Sequence, residues 1–253
     1  MIRKALVTDV PALMSNWHLC FGDEPSQIKP FFGSEAFSPG NTLVYEENGA
    51  VVSQLFLIEG VMRKGCLLYP AFYIFAACTL KEYRGRGIMA RLIGEAVSHA
   101  KENGKEFIFL LPEEKELYDY YSKLGFVSCC ACSEKVIKRG EIFSPDYRLV
   151  PLFCSKACRS VALLFSESFG YGAENHGEYG AALYEKDGDT LIISDIEING
   201  KTGEYISYLL DKTDCGQAKV ILPAGENAVP HGMALACGST PLPGNIFLNF
   251  TLD

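Results

Sequence analysis

Several familiar signatures are missing from this 253-residue chain. Its four histidines, His18, His99, His176 and His231, form no set with metal-ligand spacing. Ten cysteines include one Cys-x-x-Cys, Cys129-Cys130-Ala131-Cys132. Neither a second such pair nor a His pair accompanies it, so no metal is expected. A redox motif of this kind opens a helix, whereas this one follows the helix stop at Gly125-Phe126 and reads as strand. Reduced thiols serving as small apolar side chains are expected instead. No Ser or Cys sits in a nucleophile elbow. Lys and Arg number 23 against 31 Asp and Glu, a net charge of -8, with no basic run. That composition argues against nucleic acid or an anionic membrane as partner and suits a cationic acceptor such as an amine. No apolar run approaches the length that spans a bilayer. The opening residues Met-Ile-Arg-Lys-Ala-Leu-Val-Thr-Asp lack the apolar stretch of a secretion signal, so a cytoplasmic protein is expected.

What the chain does have is apolar mass: 48% hydrophobic and 12% aromatic residues, enough for one large or two small domains. The informative stretch runs from Tyr73 to Phe126. Tyr73 to Leu80 is an apolar, aromatic run closed by Lys81 and Glu82, which predicts a mostly buried strand. Arg84-Gly85-Arg86-Gly87 then leads into a helical pattern. Ile88, Leu92 and Ala96 form one apolar row and Met89, Ile93, Val97 and Ala100 the next, with Arg91, Glu95, Ser98, Lys101 and Glu102 facing out. His99 falls on the exposed side of that pattern. Asn103-Gly104 closes the helix. Phe107 to Leu111 is a second buried strand, and Pro112, Glu113 and Glu114 open another helix that Gly125 ends.

A strand, a glycine-bearing turn and a helix N-terminus make an anion site, because the first N–H groups of a helix have no partner inside it. Gly85 and Gly87 let a phosphate approach those groups, and Arg84 and Arg86 add charge suited to phosphate oxygens. The turn suits a pyrophosphate; taken alone, it also reads as an ordinary strand-to-helix turn with two solvated arginines.

The wider pattern is more specific. Arg84-Gly85-Arg86-Gly87-Ile88, with Tyr121-Ser122-Lys123-Leu124-Gly125-Phe126 one strand and one helix later, resembles the acetyl-CoA motif of the GNAT N-acetyltransferases. That motif runs Arg/Gln-x-x-Gly-x-Gly/Ala and is followed by Tyr-x-x-x-Gly-Phe. Arg84 and Gly87 match; the last small position is Met89, with Ala90 behind it, which is similar to the tandem branch of the family. The resemblance implies acetyl-CoA as co-substrate and an amine-bearing acceptor, with direct transfer. It implies that the turn of Gly85, Arg86, Gly87, Ile88, Met89 and Ala90 holds the pyrophosphate through backbone amides. Ala77, Cys78 and Thr79 would pair with the pantetheine arm, which places Cys78 beside the cofactor thiol. Tyr121 would protonate the departing thiolate. Read from spacing alone, Tyr121 also shares a stripe with Leu117 and Leu124 and suits a core position. The implied alternatives are a non-catalytic acyl-CoA-binding module and an enzyme for a larger acyl-CoA.

The remaining chain continues the α/β pattern. Ile2 to Val7 is a short strand, and Thr8 can cap a helix whose row includes Leu13, Trp17 and Cys20. A second short helix covers Ser26 to Phe32. By the same resemblance, Trp17, Asp23 and Glu24 are candidates to meet the acceptor, although Asp23 and Glu24 also read as a helix cap and first turn. Asp23, Glu24, Glu59 and Asp253 are the candidate bases. Asn48-Gly49 joins two strands as a hairpin, Gly60 to Gly65 reads as the next turn, Pro70 as an interruption, and Phe126 to Lys138 as one strand. Ser144-Pro145 and Val150-Pro151 suggest a boundary near Gly140. Beyond it the order is helix at Lys156 to Phe169, strands at Tyr179 to Tyr184 and Thr190 to Ile198, helix at Glu204 to Lys212, and strands at Ala218 to Leu222 and Asn245 to Leu252. The nearest candidate for a second motif, Ile198-Asn199-Gly200-Lys201-Thr202-Gly203, lacks basic residues at the key positions. The expected architecture is a mixed-sheet GNAT acyl-CoA N-acyltransferase fold at 1–140, and a smaller, degenerate GNAT-like domain at 141–253 that completes the acceptor site.

Overall fold

The computed structural model describes residues 1–64, 66–143, 152–169, 171–177, 180–198, 202–223, 228–244 and 246–249. Along the chain come β1 (Ile2–Lys4), α1 (Val10–Phe21), α2 (Pro25–Phe32), β2 (Thr42–Glu47), β3 (Ala50–Lys64), β4 (Leu67–Thr79), α3 (Ile88–Glu102), β5 (Phe107–Leu110), α4 (Lys115–Ser122) and β6 (Ala131–Lys138). There follow β7 (Leu152–Cys154), α5 (Lys156–Phe169), β8 (Gly172–His176), β9 (Gly180–Asp187), β10 (Thr190–Ile198), α6 (Thr202–Thr213), β11 (Gln217–Pro223), β12 (Val229–Pro230), β13 (Met233–Ala236) and β14 (Phe247–Leu248).

Asn48 and Gly49 both take positive φ, 53° and 79°, the geometry of a two-residue hairpin turn. They start a sheet of order β1-β2-β3-β4-β5-β13, with β7 on β3 and β14 on β7. Two expectations need correction. Gly60 to Lys64 is not a turn: β3 pairs with β4 from Ser53↔Thr79 out to Lys64↔Leu67, while β7 takes its other edge at Val61, Met62 and Arg63. Pro70 does not interrupt β4 either. It sits opposite Val61, and its carbonyl accepts the Glu106 N–H just before the pairing with β5 begins. One face of this sheet packs on α1 and α2 through an aromatic cluster, with Trp17, Phe31, Phe56 and Phe75 at centroid distances of 4.9–6.4 Å. The other face packs on α3 through Phe72, Ile74, Leu92, Ile93 and Ile108.

Thr8 does not cap α1. It lies in a one-turn helix over Val7–Asp9, and the Asp9 carboxylate accepts the Leu6 N–H and the Arg3 guanidinium. His99 is not solvated: it is 4% exposed, stacks on Phe72 at 5.8 Å and places Nε2 3.0 Å from Asn41 Oδ1. Lying three residues after Ala96 and seven after Leu92, it shares their buried stripe. Burial, and then the charge of Lys4, holds its pKa below the ordinary 6.5. A depressed folded pKa means that unfolding takes up a proton, so the His99 contribution is complete above about pH 6.5 and is lost as pH falls through the folded value. Tm is therefore expected to fall less steeply from about pH 7.5 to about pH 5 in His99→Gln than in the wild type; equal slopes would contradict this.

The second sheet has the order β12-β6-β11-β10-β9-β8. Phe126 to Lys138 is not one strand: Val127 and Cys130 make isolated bridges to the first sheet, and β6 begins only at Ala131 and joins β11 in the second. Sheet membership thus does not follow chain order. β6 lies in the second sheet, while β7, β13 and β14 return to the first, so a cut near Gly140 divides the chain in sequence but not by sheet. β10 and β11 are parallel, with α6 between them in sequence, repeating the β4–α3–β5 pattern. Helix α5 touches α2 and β3 on one side and β8 and β9 on the other. Ser155 anchors its start, accepting the Cys158 N–H at 3.0 Å and donating to the Glu59 carbonyl at 3.1 Å.

Candidate active site

The site begins with one extra residue. Gln54 pairs with Cys78 and Phe56 with Phe75, so between these pairs β4 has two residues, Ala76 and Ala77, where β3 has one, Leu55. Ala76 takes φ 43°, a left-handed conformation that costs a non-glycine residue about 1–2 kcal/mol. This is a β-bulge. The parallel pairing of β4 with β5 covers only Ala71↔Phe107 to Tyr73↔Phe109, and Leu110 pairs with Met233 on the far side. Beyond Tyr73 the β4 edge facing β5 has no strand partner among the described residues. A crevice at the carboxyl ends of parallel strands is where open α/β sheets bind ligands.

At the outer end of β4 the expected turn is present and exposed. Gly85 and Gly87 take φ 75° and 67°, and Gly87 is the cap from which α3 starts. A Cβ at either position would meet nothing within 4 Å, so the space in front of both glycines is open. Ile88 is buried, and Met89 and Ala90 are half-buried. Both arginines have protein partners. The Arg84 Nε donates to the Thr79 carbonyl at 2.9 Å, and Arg86 forms a two-point pair with Glu47 at 2.8 and 3.1 Å. The groups left facing outward are the backbone N–H groups at the start of α3.

A cavity of about 350 Å³ lies at the inner end of the crevice, within the range of small-molecule sites. Ile74, Phe75, Ala76, Ala77, Leu110 and Tyr121 from the first sheet and α4 line it together with Trp17, Asp23 and Glu113, and residues from the second half of the chain, Phe165, Tyr171, Leu183 and Asp195, complete its wall. Tyr121 is 8% exposed, and its ring packs on Tyr120 and Phe126 at 5.2 and 5.7 Å. Trp17 Nε1 donates to Asp23 Oδ2 at 2.9 Å, which fixes that carboxylate.

The other named residues lie apart. Cys78 does not line the cavity: the bulge turns its Sγ toward α1, 3.9 Å from the Asn16 carbonyl. Thr79 is held by Ser53, hydroxyl to hydroxyl at 2.8 Å. Glu24 caps α2 with Gln27, and Glu59 pairs with Lys105 at 3.1 Å; neither lines the cavity. Asp253, Asn199, Gly200 and Lys201 lie outside the described residues, as do Ser144-Pro145 and Val150-Pro151. Sequence reasoning missed Glu113, Phe165, Tyr171, Leu183 and Asp195 as cavity residues, because four of the five come from the second half of the chain, where no motif marks them.

Cys20 and Cys78 bring two thiols together beneath the turn. Arg84 Nη2 is 3.9 Å from Cys20 Sγ. A hydrogen bond from Cys78, with Arg84 adding to it, pulls the Cys20 thiol down to about 6, and the same contact together with burial pushes Cys78 up. Cys20 is half-exposed, so a small electrophile can reach its sulfur. Among the buried and half-buried cysteines, Cys20 is expected to react fastest with iodoacetamide, its rate rising with a midpoint near pH 6. In Arg84→Ala that midpoint is expected to move up. A midpoint above about pH 8, the range of an ordinary thiol, would contradict the contact.

A mixed sheet opened between two parallel strands, with a glycine turn feeding a helix at the mouth of the opening, is the ligand-binding arrangement of an open α/β sheet. The sequence model described as the acetyltransferase (GNAT) domain matches residues 1–128, and the chain belongs to the GNAT acetyltransferase family. The mixed α/β fold agrees with solved structures. A conserved protein of unknown function from Enterococcus faecalis is 13% identical, with 92% of this chain and 71% of that one covered at a TM-score of 0.70. A GCN5-related N-acetyltransferase from Kribbella flavida is 12% identical over 94% of this chain and 72% of that one, TM-score 0.69. Eis1 from Mycobacterium abscessus is 11% identical over 94% and 74%, TM-score 0.67. At these identities the likeness is one of fold. No curated protein matches the chain. Among the described residues no helix is long and apolar enough to cross a membrane.

Proposed function

We propose that the protein is an N-acetyltransferase that moves the acetyl group of acetyl-CoA directly to a primary amine. The observation that carries this reading is the β4 bulge, which opens an unpaired strand edge between the glycine turn and a cavity lined by Tyr121. The open space before Gly85 and Gly87 suits a pyrophosphate on the backbone N–H groups of Gly85 to Ala90, with Arg84 and Arg86 supplying positive potential while keeping their protein partners. The β4 edge at Ala77, Cys78 and Thr79, where the Thr79 carbonyl already accepts from Arg84, would receive the pantetheine amides as a further strand would. Acetyl-CoA supplies an acyl group already activated as a thioester.

The residues then divide the proton traffic. As the amine nitrogen bonds to the acyl carbon and the carbon–sulfur bond breaks, the Tyr121 hydroxyl gives its proton to the sulfur, and the surplus proton on the new amide nitrogen returns to the Tyr121 oxygen, directly or through water. Of the candidate bases, Asp23 is the one that lines the cavity, and we assign it the proton that the incoming ammonium must lose, directly or through water. Residues 141–253 would act as the degenerate GNAT-like half that closes the acceptor side. In support, β10 carries its own one-residue bulge, between Ile193 and Asp195, where β4 carries Ala76. The described cysteines are free thiols, which suits the reducing cytoplasm. The test is thiol release from acetyl-CoA in the presence of a panel of amines, with the N-acetylated product confirmed by mass. Release that depends on both amine and protein supports transfer; binding without any transfer would favour an acyl-CoA-binding module instead.

A further inference from the structure

The second half shapes part of the cavity wall through a register effect. On β10, Leu191, Ile193 and Ile196 all lie in the core that packs against α6. Side chains on a regular strand alternate, so Ile193 and Ile196 would point to opposite faces and Ile193 and Asp195 to the same one. The extra residue at Ser194 reverses that relation: Ile193 pairs with Tyr184, but Asp195 pairs with Leu183. Asp195 and Leu183 consequently both face the cavity, and the bulge has moved a carboxylate from the core face to the ligand face. Trp17, Phe165 and Tyr171 line the same cavity, as does Asp23, which the Trp17 indole holds.

Apolar and aromatic walls that carry carboxylates select a particular kind of amine. A carboxylate beside aromatic rings holds an ammonium group by charge and by the ring faces, while Phe75, Leu110, Leu111, Leu117, Phe165 and Leu183 on the same lining reward apolar area, and the Ser166 hydroxyl there already donates to the Leu163 carbonyl at 2.9 Å. We infer that the acceptor is a primary amine on an apolar, aryl or alkyl body, and that Asp195 is a specificity-determining residue contributed by the second half. This rests on the N-acetyltransferase reading and narrows its acceptor.

The experiment compares kcat/KM at saturating acetyl-CoA for phenethylamine and hexylamine against ethanolamine and glucosamine, in the wild type and in Asp195→Asn. The apolar-bodied amines are expected to exceed the hydroxylated ones by about 100-fold, which a few buried methylene groups supply. Asp195→Asn keeps the shape of the side chain. It is expected to raise KM for phenethylamine by about tenfold or more, with kcat within about threefold and acetyl-CoA affinity unchanged. If ethanolamine or glucosamine is acetylated as well as phenethylamine, the acceptor class is wrong. If Asp195→Asn leaves KM unmoved, the residue is not a determinant. If none of the four amines is acetylated although acetyl-CoA is turned over with another amine, the inference fails and the N-acetyltransferase reading stands. If no amine is acetylated at all, that reading fails with it.

Discussion

Tyr121→Phe is expected to lower kcat by about 10²- to 10⁴-fold, the range for removing a positioned proton donor, while acetyl-CoA binds as in the wild type. The substitution removes the hydroxyl alone. The ring contacts with Tyr120 and Phe126 remain, so the packing of α4 against the first sheet should survive and Tm should change little. The split between kcat and binding carries the weight, because a thiolate leaves more readily when its charge is quenched as the carbon–sulfur bond breaks. A tyrosine serving only as core would behave otherwise: losing its hydroxyl would alter stability and leave turnover nearly intact. A kcat within about threefold of the wild type would return Tyr121 to the core.

Gly87→Trp is expected to abolish acetyl-CoA binding, raising Kd by at least about 100-fold, and to remove activity with it. Gly87 stands at φ 67° as the cap of α3, so any side chain there carries the left-handed penalty of about 1–2 kcal/mol. The protein around it does not resist: a Cβ at Gly87 would meet nothing within 4 Å. The folded state should therefore persist with a modest loss in Tm, and the new indole would occupy the open space in front of the α3 N–H groups. Gly87→Ala separates the two effects, since it pays the conformational penalty but fills far less of that space. If Gly87→Trp binds acetyl-CoA normally, the pyrophosphate does not lie on this turn.

Much of the first half was legible in the sequence because its signals are local. Asn48-Gly49 demands a hairpin, Gly85 and Gly87 need positive φ, and the apolar rows of Ile88 to Ala100 need a buried face; each can be read within one turn or one helix. His99 escaped because a histidine on a buried stripe looks polar until Phe72 and Asn41 are seen to receive it. The extension of β3 through Gly60 escaped because a glycine reads as a turn, whereas here it faces Ala71 within a ladder that runs on to Lys64↔Leu67, with β7 on the other edge. The strands β8 and β13 escaped for related reasons: Gly172–His176 is polar, and Met233–Ala236 is short and joins β5 across the chain. The cavity wall contributed by the second half was the least legible part. Asp195 reaches it only because one residue is inserted on β10, and a bulge leaves no composition signal; on a regular strand Ile193 and Asp195 would share a face.

The most direct test of the central claim, that the crevice between β4 and β5 holds an acyl-CoA, is isothermal titration of the purified wild-type protein with acetyl-CoA. The expected result is a saturable one-to-one isotherm with Kd within the range of about 1 µM to 1 mM that enzymes show for their substrates. No heat and no saturation at millimolar acetyl-CoA would contradict it, and would leave the glycine turn and the opened sheet as features of the fold alone.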